Sequence, residues 1–199
     1  MSPLFETIKV KDGQFFNLDF HNARMNAARK AVYNCKDELD LSEKLYLPKS
    51  VTNAIHKCKV IYNQDLISIH FQPYYFRKIN SLKIIQVKDI DYTYKSSDRS
   101  QINNLFTQKE SFDDVLIVKD GLITDTSYAN IIFFDGKNWF TPKHPLLKGT
   151  KRTKLLSEKR ISEQEITMQM LPNFRFAKLI NAMIDLEDTE PILIENIHA

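Results

Sequence analysis

The stretch VLIVKDGLITDTSYANIIFFDGKNWF, residues 115–140, decides the fold of this chain. Its apolar runs are separated by two Asp-Gly pairs, Asp120-Gly121 and Asp135-Gly136. Asp-Gly between apolar strands is a strong hairpin signal, because both central residues of a type I′ turn need positive φ. The stretch therefore predicts two consecutive hairpins that form an antiparallel meander.

The other two glycines extend this prediction. Asp12-Gly13 predicts a further hairpin over residues 8–18. Gly149 precedes the helical run TKRTKLLSEKRI, which Thr150 is suited to cap. Since no glycine is left for a P-loop or a GxGxxG fingerprint, the sequence argues against nucleotide binding by either route.

Periodicity and cap residues predict the remaining elements. Helices are predicted over residues 19–35, 50–59 and 98–109. The first is expected to have Asp19 as its N-cap and a packing face made of Phe20, Ala23, Ala27, Ala28 and Ala31. The runs LISIHF and LKIIQV are predicted as neighbouring strands, and FAKLINAMI fits either a strand or a buried helix.

These elements indicate an α+β fold of mixed α/β content, in which mainly antiparallel sheets carry flanking helices. The polar stretch over residues 89–94 is expected to link two domains. A small N-terminal α/β domain would span residues 1–88, and a larger C-terminal domain would span residues 95–199.

The composition is that of a globular domain and excludes several function classes. The 199 residues are 43% hydrophobic and 27% charged, and the net charge of +3 is too small to argue for nucleic acid. Cys35 and Cys58 form no CxxC, and no His, Cys or carboxylate spacing suggests a metal site. No signal peptide or apolar run of about 18 residues is present, so we expect a cytoplasmic protein without membrane contact.

Several side chains match the needs of pyridoxal 5′-phosphate (PLP) chemistry. A lysine must bond the aldehyde and move a proton, an acid must face the ring nitrogen, and the phosphate needs an arginine fork and helix N-terminal N–H groups. One residue or segment of each kind is present, namely Lys95, Asp125, Arg24 and the turn Gly149-Thr150-Lys151. Taken singly, these residues more often have a structural explanation: a solvated lysine, a turn residue, a surface arginine or a helix cap.

Three further residues form a candidate substrate site. Tyr74, Tyr75 and Arg77 fit either core or interface packing or a pocket for a carboxylate substrate. The sequence alone leaves both interpretations open.

In order along the chain, the runs FETIKVKDGQFFNLDFHNARM, YKSSDR, GLITDTSYANIIF and WFTPKHPLLKGTKR resemble the class IV aminotransferase family, the fold-type IV PLP enzymes. The family pattern in the central block is close to G-x-(I/V)-T-E-x-x-x-x-N-(I/L)-F. The resemblance covers nearly the whole chain. It implies a two-domain D-amino-acid aminotransferase-like fold, PLP as cofactor and a homodimer.

The resemblance also implies a role for each matching residue. Lys95 matches the lysine that bonds the cofactor, and Asp125 stands where the family has a glutamate facing the pyridine nitrogen. Arg24 matches the phosphate-binding arginine of the family's HxxR motif. The other matches are the phosphate-holding backbone at Thr150 and Lys151, the supporting residue Asn130, Asn181 near the phosphate, and Thr7, which assists proton transfer in the lyases.

The matches depart from the family in three places. Asp125 is one methylene shorter than glutamate, GTKR replaces the usual G-I-T-R, and the chain begins almost at the FETI strand without the leading hairpin of most relatives. Asp125 and the missing leading hairpin motivate one functional hypothesis, a catalytically inactive homologue that binds a ligand or partner.

The lysine segment favours a different hypothesis. KSSDR resembles the K-x-x-(N/D)-R of aminodeoxychorismate lyases, which implies release of pyruvate and 4-aminobenzoate in folate biosynthesis. A branched-chain or D-amino-acid aminotransferase remains the alternative within the family.

Overall fold

The computed structural model describes residues 2–199, and its contacts divide the chain into two compact units. Unit 1 contains the chain up to Tyr75 together with Tyr94–Asp98, and unit 2 contains Phe76–Thr93 and Arg99–Ala199. The chain therefore passes from unit 1 to unit 2 for the first time between Tyr75 and Phe76, before the expected linker at residues 89–94. The difference arises because the strand LKIIQV pairs within unit 2, and strand pairing outweighs the polarity of the stretch that follows it.

Unit 1 is built on a four-stranded antiparallel sheet with the order β2-β1-β3-β4. Its strands are β1 (Leu4–Lys11), β2 (Gln14–Phe15), β3 (His56–Tyr62) and β4 (Leu66–Pro73). Asp12 and Gly13 have φ values of 50° and 71°, which confirms the type I′ hairpin. The predicted helix over residues 50–59 is wrong, because β3 alternates buried and half-buried side chains at the strand period of two.

One long helix, α1 (Leu18–Tyr33), packs on this sheet, and a short helix, α2 (Leu41–Lys44), follows it. The N-cap of α1 is Asn17 rather than Asp19. The predicted packing face is wrong at Ala23, Ala27 and Ala31, which are exposed. The residues of α1 that are buried instead are His21, Met25, Ala28 and Arg29. Met25 and Ala28 pack in the unit 1 core against apolar side chains of β1. Met25 buries more apolar surface there than an alanine at the same place would.

Unit 2 is built on a nine-stranded sheet. Its strands are β5 (Leu82–Val87), β6 (Asp114–Lys119), β7 (Leu122–Thr126), β8 (Asn130–Phe134), β9 (Trp139–Pro142), β10 (Ser162–Gln164), β11 (Phe176–Ile180), β12 (Ile192–Leu193) and β13 (Ile197–His198). The main order is β10-β9-β8-β7-β6-β5-β13, and β11 pairs with β8 and β12. The strands β6 to β9 form the predicted meander. LISIHF and LKIIQV lie in different sheets, so their predicted pairing is wrong.

The two Asp-Gly turns of the meander differ in form. Asp120 and Gly121 have φ values of 51° and 80°, as the type I′ prediction requires. In the second turn the Asp135 carboxylate accepts hydrogen bonds from the backbone N–H groups of Lys137 and Asn138, at 2.7 and 2.6 Å. These hydrogen bonds from the backbone to the Asp135 side chain stabilise a longer connection between β8 and β9, so Phe134 pairs with Trp139.

Two α-helices accompany the sheet of unit 2, α3 (Ser100–Thr107) and α4 (Thr150–Ser157). Both were predicted from the sequence, although Gly149 rather than Thr150 is the N-cap of α4. Two 3-10 segments cover Met168–Asn173 and Ile194–Asn196. Within residues 2–199, none of the helices combines the length and apolar character that crossing a bilayer requires.

Candidate active site

Asp125 is a buried carboxylate held from two sides in unit 2. It lies on β7 and pairs with Asn130, the first residue of β8, across the tight turn between the two strands. Its Oδ1 accepts a 2.6 Å hydrogen bond from Asn130 Nδ2, and its Oδ2 accepts a 3.0 Å hydrogen bond from the backbone N–H of Leu147. The residue is 5% exposed. The carboxylate is thus locked in one orientation.

The environment of Asp125 changes its acidity. Burial, the largest influence, raises the pKa of Asp125 to about 6, against the opposing effect of the hydrogen bonds from Leu147 and Asn130. A carboxyl group with a pKa near neutrality can share a proton with a basic ring nitrogen.

Asn130 connects Asp125 to the start of α4. Besides its bond to Asp125, Asn130 Nδ2 donates to the carbonyl of Leu147 at 2.8 Å. Asn130 Oδ1 lies so close to Gly149 that a Cβ atom there would be 2.1 Å away. Position 149 therefore requires glycine because the Asn130 side chain packs against its Cα, and not because the backbone there has a positive φ. The sequence predicted Asn130 as a supporting residue, and its contacts agree with that role.

The first turn of α4 is basic and buried. Lys151 forms an ion pair with Asp185, and Arg152 donates to Glu163 at 2.7 Å and to the carbonyl of Pro142 at 2.8 Å. Gly149, as the N-cap, contributes no side-chain hydrogen bond to the turn. The Lys151 and Arg152 side chains thus make structural contacts. The backbone N–H groups of the turn lie at a helix N-terminus, which is a common type of phosphate-binding site.

Asn181 supports the loop that follows Asp125. Its Nδ2 donates to the Tyr128 carbonyl at 3.4 Å, and its Oδ1 accepts from the backbone N–H of Met183 at 2.8 Å. These contacts anchor the turn between β7 and β8.

Unit 1 contains a second buried carboxylate, Glu6 on β1, which the sequence did not single out. Arg24 of α1 donates to it through Nε at 2.9 Å and through Nη2 at 2.5 Å. His21 Nδ1 lies 2.5 Å from the same carboxylate. Glu6 is fully buried and shares a strand face with Leu4 and Ile8. A charged residue on an apolar strand face was the signal that could have identified it.

The pKa values of this cluster indicate a charged Glu6–Arg24 pair. Burial opposes ionisation of Glu6, but the Arg24 charge and the His21 contact together lower its pKa to about 2. Burial also lowers the pKa of His21, while Glu6 acts in the opposite direction. Arg24 is thereby held in a fixed fork geometry, with its side chain 17% exposed.

Replacement of Glu6 by glutamine is expected to lower the free energy of unfolding at pH 7 by about 3 kcal/mol, because Arg24 and His21 lose a buried anion. The folded pKa lies below the ordinary value of 4.5, so this stabilisation is present above pH 4.5 and is lost as the pH falls towards 2. Urea unfolding at several pH values measures it. The exposed Glu38→Gln variant should change stability little, and equal losses in both variants would contradict the assignment.

Lys95 lies beside β1 in unit 1. Its carbonyl accepts a 2.9 Å hydrogen bond from the backbone N–H of Phe5, and Ser96 forms a β-bridge with Leu4. The Lys95 Nζ lies 4.8 Å from the centre of the Phe5 ring. Thr7, two residues along the strand, is half-buried on the same strand face as Phe5.

The three predicted substrate residues have different surroundings within their own units. Tyr74 and Tyr75 belong to unit 1, and Tyr75 is 82% exposed. Arg77 belongs to unit 2, where its guanidinium lies 4.9 Å from the Tyr128 ring centre and 5.5 Å from that of Phe106. Arg77 also lines a cavity of about 210 Å³ together with Phe76 and Tyr128, and the substrate role of Tyr74, Tyr75 and Arg77 stays a prediction.

Comparisons with known proteins give consistent results. The family model described as Amino-transferase class IV matches residues 3–186. An uncharacterized protein of Haemophilus influenzae is 37% identical over 185 residues, which cover 92% of this chain and 98% of that protein. A crystal structure from Haemophilus somnus, provisionally named a 4-amino-4-deoxychorismate lyase, is 34% identical with a TM-score of 0.85, covering 94% of this chain and 98% of its own.

A more distant structure has the same fold. A crystal structure from Mesorhizobium loti, provisionally named an amino-acid aminotransferase, is 20% identical with a TM-score of 0.80. It covers 97% of this chain and 98% of its own. The predicted fold class, with mainly antiparallel sheets and flanking helices, is confirmed.

Proposed function

The chain belongs to the class IV amino-transferase family of PLP-dependent enzymes, and from that premise we propose that it is a lyase releasing pyruvate and 4-aminobenzoate from an aminodeoxychorismate-like substrate. The observation that carries the cofactor assignment is the buried Asp125, held by Asn130 and Leu147. When bound, PLP supplies a protonated ring that accepts electrons from the substrate.

The residues of unit 2 fit this cofactor. Asp125 has a pKa of about 6, so it can share the proton that keeps a pyridine nitrogen charged. The close packing of Asn130 against Gly149 couples the carboxylate to the first turn of α4. The backbone N–H groups of Thr150 and Lys151 would hold the phosphate, and Asn181 supports the adjoining loop.

In unit 1, Arg24 and Lys95 have the remaining proposed roles. Glu6 fixes the Arg24 guanidinium through Nε and Nη2, and Arg24 would contribute its positive charge to holding the phosphate. Lys95 Nζ would bond the cofactor and take the proton from the carbon that bears the substrate nitrogen. Thr7 would assist the proton transfer that accompanies pyruvate release.

The lyase proposal rests on two observations. KSSDR follows the lyase pattern around Lys95, and the Haemophilus somnus structure named as a lyase is 34% identical. An aminotransferase of branched-chain or D-amino acids is the second candidate, favoured by the family model. Both candidates use every residue named above.

Product analysis separates the candidates. The purified protein is incubated with PLP and aminodeoxychorismate in the absence of any keto acid. Formation of pyruvate and 4-aminobenzoate in equal amounts supports the lyase. Product formation from an amino acid only after a keto acid is added supports the aminotransferase. Absence of both products, together with no change in absorbance on addition of PLP, supports the inactive homologue.

The resemblance also leads us to propose a cytoplasmic homodimer that acts in folate biosynthesis. Light scattering should give the mass of two chains. A fully active protein with the mass of one chain would contradict the dimer.

The Gly149→Ala variant is expected to weaken PLP binding about 10-fold, because the added Cβ would displace Asn130 and with it Asp125. Titration of PLP absorbance measures this change. Gly121→Ala is the matched control, since its Cβ would meet no atom within 4 Å while its φ of +80° strains the turn. Both variants should lose stability, but only Gly149→Ala should lose PLP affinity.

A further inference from the structure

The turn between β7 and β8 is closed by hydrogen bonds between its first and last residues. The backbone N–H of Thr126 donates to the carbonyl of Ala129 at 3.0 Å, and the N–H of Ala129 donates back to Thr126 Oγ1 at 3.3 Å. Asp125 and Asn130 stand directly outside this pair, one on each strand. The orientation of Asp125 therefore depends on the geometry of the turn, residues 126–129.

The two central residues of the turn are held from outside by side chains. Arg99 Nη2 donates to the Ser127 carbonyl at 2.6 Å, and Asn181 Nδ2 donates to the Tyr128 carbonyl at 3.4 Å. A hydrogen bond from a charged donor is about twice as strong as a neutral one, whereas a contact of 3.4 Å lies at the limit of hydrogen bonding. Arg99 is thus the stronger of the two anchors.

The Arg99 contact lies where water competes little with it. Ser127 is 6% exposed, and Arg99 is half-buried. Removal of the arginine would leave the buried Ser127 carbonyl without this charged donor, and an unpaired buried acceptor destabilises a fold more than the loss of a surface contact does.

The backbone of Arg99 is fixed by a packed helix. Arg99 is the N-cap of α3, and its carbonyl accepts a 2.8 Å hydrogen bond from the backbone N–H of Asn103. Two apolar side chains of α3, Ile102 and Leu105, are buried in one cluster with Val115 and Ile117 of β6. Arg99 therefore ties the turn to a helix that cannot move independently of the sheet.

The same apolar cluster supports the other side of the Asp125 carboxylate. It contains Leu146, and the next residue, Leu147, packs against it and donates its backbone N–H to Asp125 Oδ2 at 3.0 Å. One packed region of unit 2 thus fixes Asp125 directly through Leu147, and fixes the turn that follows Asp125 through Arg99.

Arg99 is the last residue of the KSSDR run, from which the proposed mechanism uses only Lys95. We infer that Arg99 is a positioning residue, which holds the turn after Asp125 through the Ser127 carbonyl and so keeps the carboxylate in the orientation that a pyridine nitrogen requires. The inference rests on the proposed function and adds a residue to the machinery of the cofactor site. Arg99 acts through the turn and does not itself contact the ring.

Amide hydrogen exchange of the full-length protein without PLP tests the contact itself. Arg99→Met keeps an apolar stem and removes the donor, so it should speed exchange at the N–H groups of Thr126 and Ala129 about 10-fold. Lys119→Met is the matched control, because Lys119 Nζ donates to the Ile90 carbonyl at 2.9 Å near the other end of the β6–β7 pair. Unchanged exchange in Arg99→Met, or equal acceleration of these N–H groups in both variants, would contradict the inference.

A double-mutant cycle on PLP affinity tests whether Arg99 acts through Asp125. Arg99→Met should weaken PLP binding about 10-fold, and Arg99→Lys, which retains a cationic donor, should bind PLP within about 3-fold of wild type. In the Asp125→Asn background, Arg99→Met should cause little further loss, because the group that it positions is already changed. Losses that add fully, or no recovery in Arg99→Lys, would indicate a general structural effect and overturn the inference.

The two experiments separate this inference from the proposed function. Absence of PLP uptake by wild type would overturn the proposed function, and the exchange comparison, which needs no cofactor, would still decide whether Arg99 holds the turn. Normal PLP uptake together with unchanged exchange in Arg99→Met would overturn only the role of Arg99.

Discussion

The Lys95→Ala variant is expected to lose activity by about 10³-fold or more, since general acid–base catalysis and covalent attachment of the cofactor both depend on this amine. Lys95 is the lysine of the KSSDR motif, and its Nζ lies over Phe5 on β1. The variant should also lose the visible absorbance change that wild type gives on addition of PLP. Pyruvate release and PLP absorbance, recorded on the same preparations, measure both effects.

The exposed Lys36→Ala variant is the control for this experiment. It removes an amine from the same unit without touching β1 or the motif, so it should retain wild-type activity and PLP uptake. Circular dichroism should give the same spectrum for both variants and wild type. If wild type and Lys95→Ala take up PLP with identical spectra, the lysine assignment is wrong.

Asp125→Asn should reduce activity by about 10²- to 10³-fold, because an amide can accept a hydrogen bond but cannot supply the negative charge that keeps a ring nitrogen protonated. The amide also places an N–H donor where the carboxylate now accepts from Leu147 or Asn130. Turnover at saturating PLP separates the electronic effect from weaker cofactor binding. Asp125→Glu restores the charge and should recover part of the activity, whereas equal losses in both variants would argue for a purely structural role.

In the absence of PLP, Asp125 also lowers the stability of the folded protein by an amount that depends on the pH. Its folded pKa of about 6 lies above the ordinary value of 3.8, so the folded state binds the proton more tightly. Below about pH 4 the Asp125 carboxyl therefore leaves the free energy of unfolding unchanged. As the pH rises through 6, its ionisation lowers that free energy by an amount that reaches about 3 kcal/mol. The difference in unfolding free energy between wild type and Asp125→Asn, measured from pH 4 to 7, should change by that amount. A constant difference would contradict the raised pKa.

Local chemistry accounts for what the sequence predicted well. The hairpins at Asp12-Gly13 and Asp120-Gly121 formed as expected because positive φ values are a property of two adjacent residues. The meander followed from the spacing of its apolar runs. Helices α3 and α4 were also predicted, since periodicity and the glycine that precedes α4 are local signals.

Long-range packing accounts for the errors. Residues 50–59 have no strong strand signal, and β3 exists because it pairs with β1 and β4 on both sides. Ala23, Ala27 and Ala31 of α1 are exposed because Met25 and Ala28 occupy the face that packs on the sheet.

Residue identity and short spacing were enough to predict the turns, the family and the chemical type of each proposed site residue. Which carboxylates are buried, and which groups hold them, depends on the folded chain. Glu6 is paired with Arg24 and has a pKa of about 2, whereas Asp125 receives neutral hydrogen bonds and has a pKa of about 6. The physical reason is that a carboxylate's acidity depends on the charges and dipoles folded around it, and these come from residues distant in sequence.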